Sequence, residues 1–384
     1  MKDTAAFQYF DESVTRALES DNVTESKQMK VIIYYHGHCK AHDGSVSAAL
    51  AKYFITQIAK DFRPDVKPVF TFEGITYNTN YAGSKLANQD LIVFVDFMFT
   101  ELQDNLQIMS DAKCPIIICD HHNDKRVESI KKYLEFTKQG INNIDIQFND
   151  KVSGVLNTIN YFEAYSQLVG LGKTVLNWHP DINQFIRCIN DYDMWEWQYP
   201  DTAAINAYLS TFTDEDNIAF VYDLINNQEK MGAIEVSKLY ENMVETGKVI
   251  RRNQEKRVDS ITNKYVEVHL PMTIETDTVT VNRTYSFATV NSIMDKNECA
   301  DVFTKDYDFA IVWAFQGNYI TGSIRASNEN LDGFMDANKI ANMSEYGMVG
   351  GGHPCASGFS IRDPKNIIKF LETFVYGTKF KKLS

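Results

Sequence analysis

The 384-residue chain contains no apolar run approaching the roughly 18 residues that a membrane-crossing helix requires. Its opening stretch, MKDTAAFQYFDESVTRALES, lacks the apolar core of a secretory signal, so a cytoplasmic location is expected. No CxxC pair occurs among the six cysteines (Cys39, Cys114, Cys119, Cys188, Cys299 and Cys355), and Cys119 sits inside an apolar run. A disulfide framework is therefore not expected, and reduced thiols are. Positive charge is also short: 38 Lys and Arg face 51 Asp and Glu, for a net charge of −13. Tight binding of long nucleic acid uses a basic face, so this balance argues against long polyanions. A short phosphodiester stays compatible with it, with cations supplied by metals or a few Arg and Lys. Internal repeats and low-complexity tracts are absent, and the NVT sequon at Asn22 carries no weight without a signal sequence.

What is present is a globular composition, 44% hydrophobic and 23% charged, in a chain long enough for two domains with separate cores. Apolar β-rich runs alternate with helix-like segments through the first half: VIIYYH (31–36), PVFTFEGI (68–75), LIVFVDF (91–97), CPIIICDHH (114–122) and IQFND (146–150). Continuous apolar strands separated by helices predict a parallel sheet covered on both faces. The helix after the first strand is expected to begin near Gly44. Residues 226–262 contain no proline, are rich in Glu, Lys, Met and Leu, and read as one long connector helix. Beyond them, shorter strands and helices predict a smaller α/β domain, and the terminal KFKKLS reads as a solvated basic tail.

The polar residues that interrupt this pattern stand at strand ends. His36 and His38 follow the first run, Asp96 the third, and Asp120, His121 and His122 the fourth. In parallel sheets, ligands collect at the carboxyl ends of the strands. A single Asp there is often a cap and a single His often a satisfied structural residue. Convergence of His36, Asp96 and His121 on one sheet edge would instead be relieved by bound cations, since unpaired acids and imidazoles at such an edge conflict. Carboxylate oxygens hold Mn²⁺ or Mg²⁺, and imidazole shifts the preference toward Mn²⁺, Fe²⁺ or Zn²⁺.

The motifs HGHCKAHDGSVSAAL, VFVDF, CDHHN, NDYDMWEW and GGGHPCASGF occur in that order across nearly the whole chain. Together they resemble the DHH phosphoesterase superfamily with its C-terminal DHH-associated domain, and most closely its oligoribonuclease (nano-RNase) branch. The resemblance implies a parallel-sheet DHH domain over 1–225, a connector over 226–262 and a smaller α/β substrate-binding domain over 263–384. It implies two metal ions, expected to be Mn²⁺, with Mg²⁺ or another divalent ion as substitutes. Asp96 matches the carboxylate that bridges the ions, His121 a metal ligand, His122 the histidine facing the scissile phosphate, and Asp120 the residue that orients the histidines. Asp43 fits the first-motif aspartate. In the fourth motif Asp193 is chosen over Asp191, and the alternative for either is to cap a turn after the helix INQFIRCI. The first motif departs from the pattern, with three residues between Cys39 and Asp43 where the branch has one. His36, His38 and His42 therefore compete for one ligand position, with His36 favoured and His38 next, and Cys39 as a further alternative.

In the second domain the resemblance implies substrate contacts from Arg325, Gly351, Gly352, His353 and Ser357. Consecutive glycines let backbone amides approach a phosphate, particularly if a helix starts at PCASG. Arg325 would clamp a distal phosphate or base in a bidentate geometry, with substrate in a cleft between the domains. The expected activity is Mn²⁺-dependent hydrolysis of short oligonucleotides to 5′-mononucleotides. The alternatives are a cyclic or linear dinucleotide phosphodiesterase, or a catalytically impaired nucleotide-binding scaffold with a damaged first motif. The expected partner is a short oligonucleotide or dinucleotide, with neither long duplex nor membrane; a homodimer is left open. Aromatics form 12% of the chain, including Tyr192, Trp195, Trp197 and Tyr346; stacking on bases is open to them, and most are expected in the core, so no stacking residue is singled out.

Overall fold

In the computed structural model, five apolar runs of the first half form parallel strands: β2 (Gln28–His36), β3 (Lys67–Ile75), β4 (Leu91–Val95), β5 (Ile116–Asp120) and β6 (Ile144–Phe148). The short β1 (Phe7–Tyr9) adds antiparallel to β6, giving the order β1-β6-β5-β4-β2-β3. The structure describes residues 7–9, 12–37, 42–76, 88–98, 112–122, 144–170, 177–275, 280–326 and 334–376. Side chains alternate across the sheet, as a two-residue period requires. Val31, Ile33 and Tyr35 belong to one apolar core, and Ile32 and Tyr34 to another on the opposite face. Burial of both faces explains why β4 and β5 read as unbroken apolar runs, whereas β3, at the sheet edge, is only partly buried.

The helices of this part are α1 (Ser13–Glu19), α2 (Asp21–Ser26), α3 (Asp43–Phe62), α4 (Gly154–Leu168), α5 (Pro180–Asp193), α6 (Thr202–Leu209), α7 (Asp214–Met231) and α8 (Ala233–Thr262). Helix α3 begins at Asp43, beside the expected start at Gly44. Its apolar face, with Val46, Leu50, Phe54 and Ile58, packs into the same core as Val31 and Ile33, together with Val155, Ile159 and Phe162 of α4. The single helix read over residues 226–262 is instead divided: α7 ends at Met231 and α8 starts at Ala233, with Gly232 between them at φ 77°. Propensity alone did not reveal the break, because one glycine inside a favourable helical stretch is a weak signal until its backbone angle is known.

The chain divides into two units, Met1–Arg251 and Arg252–Ser384, and the boundary falls inside α8. The second unit holds β7 (Val266–Glu275), β8 (Thr280–Asn291), α9 (Lys296–Phe303), β9 (Phe309–Gln316), β10 (Tyr319–Arg325), α10 (Ala337–Ala341), β11 (Val349–His353), β12 (Ala356–Ile361) and α11 (Pro364–Phe374). Its sheet runs β11-β12-β10-β9-β8-β7, antiparallel except for the β8–β9 pair. Phe287, Phe309, Ile311, Ile324 and Phe359 form one core with Phe370 and Phe374 of α11. The architecture is thus α/β, with a parallel five-strand sheet in the first unit and a second sheet in the other. Among the described residues, no helix is long and apolar enough to cross a membrane.

Candidate metal centre

The strand order makes β2 and β4 neighbours, although β3 lies between them in sequence and on the far side of β2 in space. Chain direction across the sheet therefore reverses between β2 and β4, which is where open α/β sheets leave a crevice at their carboxyl ends. The register lines up Tyr35 of β2 with Val95 of β4, and Val95 with Cys119 of β5. The next residue on each strand is His36, Asp96 and Asp120, so the sheet itself delivers these three to one edge.

Asp96 is the centre of the group. Its Oδ1 lies 3.1 Å from His121 Nε2, and its Oδ2 lies 3.8 Å from His36 Nδ1. The two oxygens of one carboxylate thus face two different imidazoles. Two sets of three potential ligands share it: His36, Asp96 and His122 form one, and Asp43, Asp96 and His121 the other, each with donor atoms within 4.8 Å of one another. Asp96 adopts φ 54°, and its amide donates to Cys119 O at 2.8 Å. That left-handed conformation is uncommon outside glycine and turns the chain sharply at the strand end.

Asp120 Oδ1 accepts from the His121 amide at 2.8 Å and lies 2.7 Å from His122 Nδ1. The first contact fixes the turn after β5, and the second fixes the His122 ring so that Nε2 is the nitrogen left for other partners. The His121 and His122 rings lie 4.4 Å apart, and His36 and His122 lie 5.8 Å apart. On α5, Asp193 Oδ2 approaches His121 Nε2 at 3.4 Å. His36, Asp43, Asp96, Asp120, His121, His122 and Asp193 are therefore brought together. His38 and Cys39 lie outside the described residues. His42 turns away from this group: its Nδ1 meets Asn217 Nδ2 at 3.3 Å, on α7. Buried there, the His42 imidazole has its pKa lowered to about 4, because burial disfavours the cation.

Asp43 does two things at once. Its Oδ2 accepts from the Gly154 amide at 2.6 Å and its Oδ1 from the Val155 amide at 2.9 Å, so it caps the start of α4 from another helix. Gly154 is what permits this approach. A Cβ placed there would lie 2.5 Å from Asp96 Cβ and 2.8 Å from Asp43 Oδ2. Sequence reasoning missed Gly154, although the pair Ser153–Gly154 just before an apolar helical run is a legible helix-start signal. Gly44 has a similar role at α3, where an added Cβ would lie 2.3 Å from the carbonyl oxygen of His36.

The donor set fits divalent cations. Asp43 and Asp193 both have carboxyl pKa values raised, chiefly by burial, and for Asp193 also by the charges of Asp43 and Asp96. His121 Nε2 faces both Asp96 and Asp193, yet one nitrogen carries at most one proton and cannot donate it to both. Cations held among these groups would relieve that repulsion.

In the second unit, the glycine run differs from expectation. Gly350, Gly351 and Gly352 lie within β11, and PCASG starts no helix: Pro354 and Cys355 form the turn into β12. Alternate burial of Ser357, Phe359 and Ile361 makes residues 356–361 a strand with one face in the core. Arg325 pairs with Ala356, and Ala356 with His353, so Arg325 and His353 share one register row. Arg325 Nε lies 4.0 Å from Asp301 Oδ1 of α9. Ser357 occupies the next row, paired with Ile324 and Gly352, and is buried. Successive strand residues point to opposite faces, so Ser357 and Arg325 are on different sides of the sheet.

No protein-family model matches the sequence, and no curated protein matches it. Among solved structures, the chain is similar to a DHH-domain protein described as a member of a family of ribosomal proteins. The identity is 14% and the TM-score 0.53, over 96% of this chain and 93% of that chain. It is also similar to a pGpG-specific phosphodiesterase from Vibrio cholerae, at 10% identity and a TM-score of 0.44, over 89% of this chain and 97% of that one. The first likeness defines the class by fold: an α/β chain built like a DHH-domain protein along almost its whole length.

Proposed function

We propose that the protein is a metal-dependent phosphodiesterase of the oligoribonuclease type, hydrolysing short oligonucleotides to 5′-mononucleotides. The observation that carries this reading is Asp96, whose two oxygens face separate imidazoles and which two ligand sets share. Asp43, Asp96, His121 and Asp193 would hold one ion, and His36 with Asp96 the other. When bound, a pair of Mn²⁺ or similar ions supplies hydroxide near neutral pH and neutralises phosphate oxygens.

The chain's own residues then divide the work. Asp96 would be the carboxylate that the two positions share. Asp120 holds His122 through Nδ1, leaving Nε2 directed to a phosphate oxygen or to protonate the leaving alkoxide, a general-acid contribution of roughly 10²–10⁴-fold. The net charge of −13 favours small substrates over long strands.

The test is product formation from a series of oligomers, dinucleotide to about ten nucleotides, plus a cyclic dinucleotide, with Mn²⁺ and then with chelator. Metal-dependent mononucleotide release, strongest on the shortest linear oligomers, is expected. Turnover confined to the cyclic dinucleotide would move the substrate to that class. No turnover of any of them by metal-loaded protein would overturn the reading in favour of a scaffold.

A further inference from the structure

The last turn of α5 continues into a segment that carries two tryptophans in an unusual state. Trp195 and Trp197 are 50% and 43% exposed, whereas Trp178 and Trp313 are buried. Both exposed residues adopt the left-handed backbone region, with φ 57° and 56°. Bulky side chains rarely do so, and such a pair persists only where the surroundings impose it.

Here the surroundings are identifiable. Buried Asp191 accepts from the amides of Gln198 at 2.7 Å and Tyr199 at 3.2 Å, and from the Thr202 hydroxyl. Its carbonyl oxygen accepts from the Glu196 amide at 3.0 Å, and Tyr192 O accepts from the Trp195 amide at 3.2 Å. The turn is thus pinned from below, with the indoles held outward. Trp195 and Trp197 meet edge to face, with centroids 4.8 Å apart and planes at 75°, and Tyr192 packs edgewise on both. The aromatic group starts two residues beyond Asp193, whose carboxylate reaches His121. Two residues of chain span at most about 8 Å, so the Trp195 backbone lies within about 8 Å of that of Asp193, whose side chain belongs to the candidate metal centre.

We propose that Trp195 and Trp197, backed by Tyr192, form a stacking platform for a nucleobase of the substrate, next to the phosphate position at Asp96. The proposal rests on the phosphodiesterase reading and narrows its substrate to esters that carry a base; pyrophosphate and base-free phosphodiesters gain nothing from the platform. Stacking on an aromatic face is tolerant of base identity, so the platform gives affinity without sequence preference.

The test uses full-length Mg²⁺-loaded protein and its tryptophan fluorescence. AMP is expected to quench saturably, and ribose 5-phosphate, which lacks the base, is not. Replacing both residues (Trp195→Ala with Trp197→Ala) is expected to remove the quench and raise KM for a dinucleotide about tenfold while kcat stays close to wild type. Equal effects of AMP and ribose 5-phosphate on the wild-type protein would overturn the proposal, and so would an unchanged KM in the double variant. The wild-type comparison decides the matter even if the double variant fails to fold. Turnover of oligonucleotides without an AMP-specific quench would remove the platform alone, whereas an AMP-specific quench without turnover of any phosphodiester would remove the hydrolase reading alone.

Discussion

Asp191 and Asp193 lie two residues apart on the last turn of α5 and face opposite ways. Asp191 binds the amides of Gln198 and Tyr199, while Asp193 reaches the His121 imidazole at 3.4 Å. Positions i and i+2 of a helix are about 200° apart around its axis, so one turn supports its own exit with one acid and presents the other to the candidate centre. Replacing each with asparagine separates the two tasks. Asp191→Asn is expected to lower unfolding free energy by about 2 kcal/mol, the scale for charged hydrogen bonds lost in a buried site. Asp193→Asn is expected to keep that stability and lose about 10–100-fold in metal affinity or turnover. Urea titration and a metal-binding isotherm on each variant check the assignment, and reversed phenotypes would refute it.

Asp96 has the largest predicted effect on metal stoichiometry. Since both candidate ligand sets include it, Asp96→Ala is expected to abolish turnover and to weaken both ions together. Elemental analysis after gel filtration measures this directly. Intact turnover in Asp96→Ala would exclude a shared carboxylate.

Gly154→Ala tests the closeness of α4 to the site. The added methyl would lie 2.5 Å from Asp96 Cβ, with Asp96 Cα at 2.9 Å, so the helix must move or the acid must. Overpacking of this kind costs about 1–3 kcal/mol. Loss of metal binding is expected alongside the loss of stability. Gly351→Ala is the contrast for stability, because nothing lies within 4 Å of the Cβ it would add. Equal destabilisation by the two substitutions would show that close approach is not what Gly154 provides.

His42 predicts a pH dependence of stability. Its pKa falls from 6.5 to about 4 in the folded chain. Between those values the unfolded chain binds the extra proton and the folded chain does not. Acid therefore favours unfolding: the contribution is complete above pH 6.5 and is lost as pH drops toward 4. The full swing is about 3 kcal/mol. Raised carboxyl values at Asp43 and Asp193 act in the opposite sense in metal-free protein. Denaturation midpoints of metal-loaded wild type and His42→Asn, taken from pH 7.5 to 5, isolate the histidine. The variant profile is expected to be flatter by roughly one proton, and parallel profiles would rule His42 out.

The parallel sheet was legible in the sequence because a strand buried on both faces must be apolar throughout, and the runs ending at His36, Val95 and Asp120 are. The polar residues just beyond them were legible for the same reason: they break a pattern that burial otherwise enforces. Other features depended on contacts far apart in the chain. The cap that Asp43 places on α4 joins residues 111 positions apart, and no local pattern records it. Likewise, the glycine run of 350–352 read as a phosphate loop but is a strand, because its partner is residues 357–359 across a tight turn. The two exposed tryptophans could not be told from core aromatics in the sequence, since composition reports how apolar a residue is and not the backbone angle that turns it outward.

The sequence by itself determined which polar residues end the apolar strands and which strands bring them to one sheet edge, since alternation of burial and polarity is local. Only the tertiary structure decided which oxygen of Asp96 faces which histidine, that His42 leaves the group while Asp193 joins it, and that Asp191 serves the turn. Those choices follow from register, helix phase and close packing, which arise only when distant segments occupy the same space.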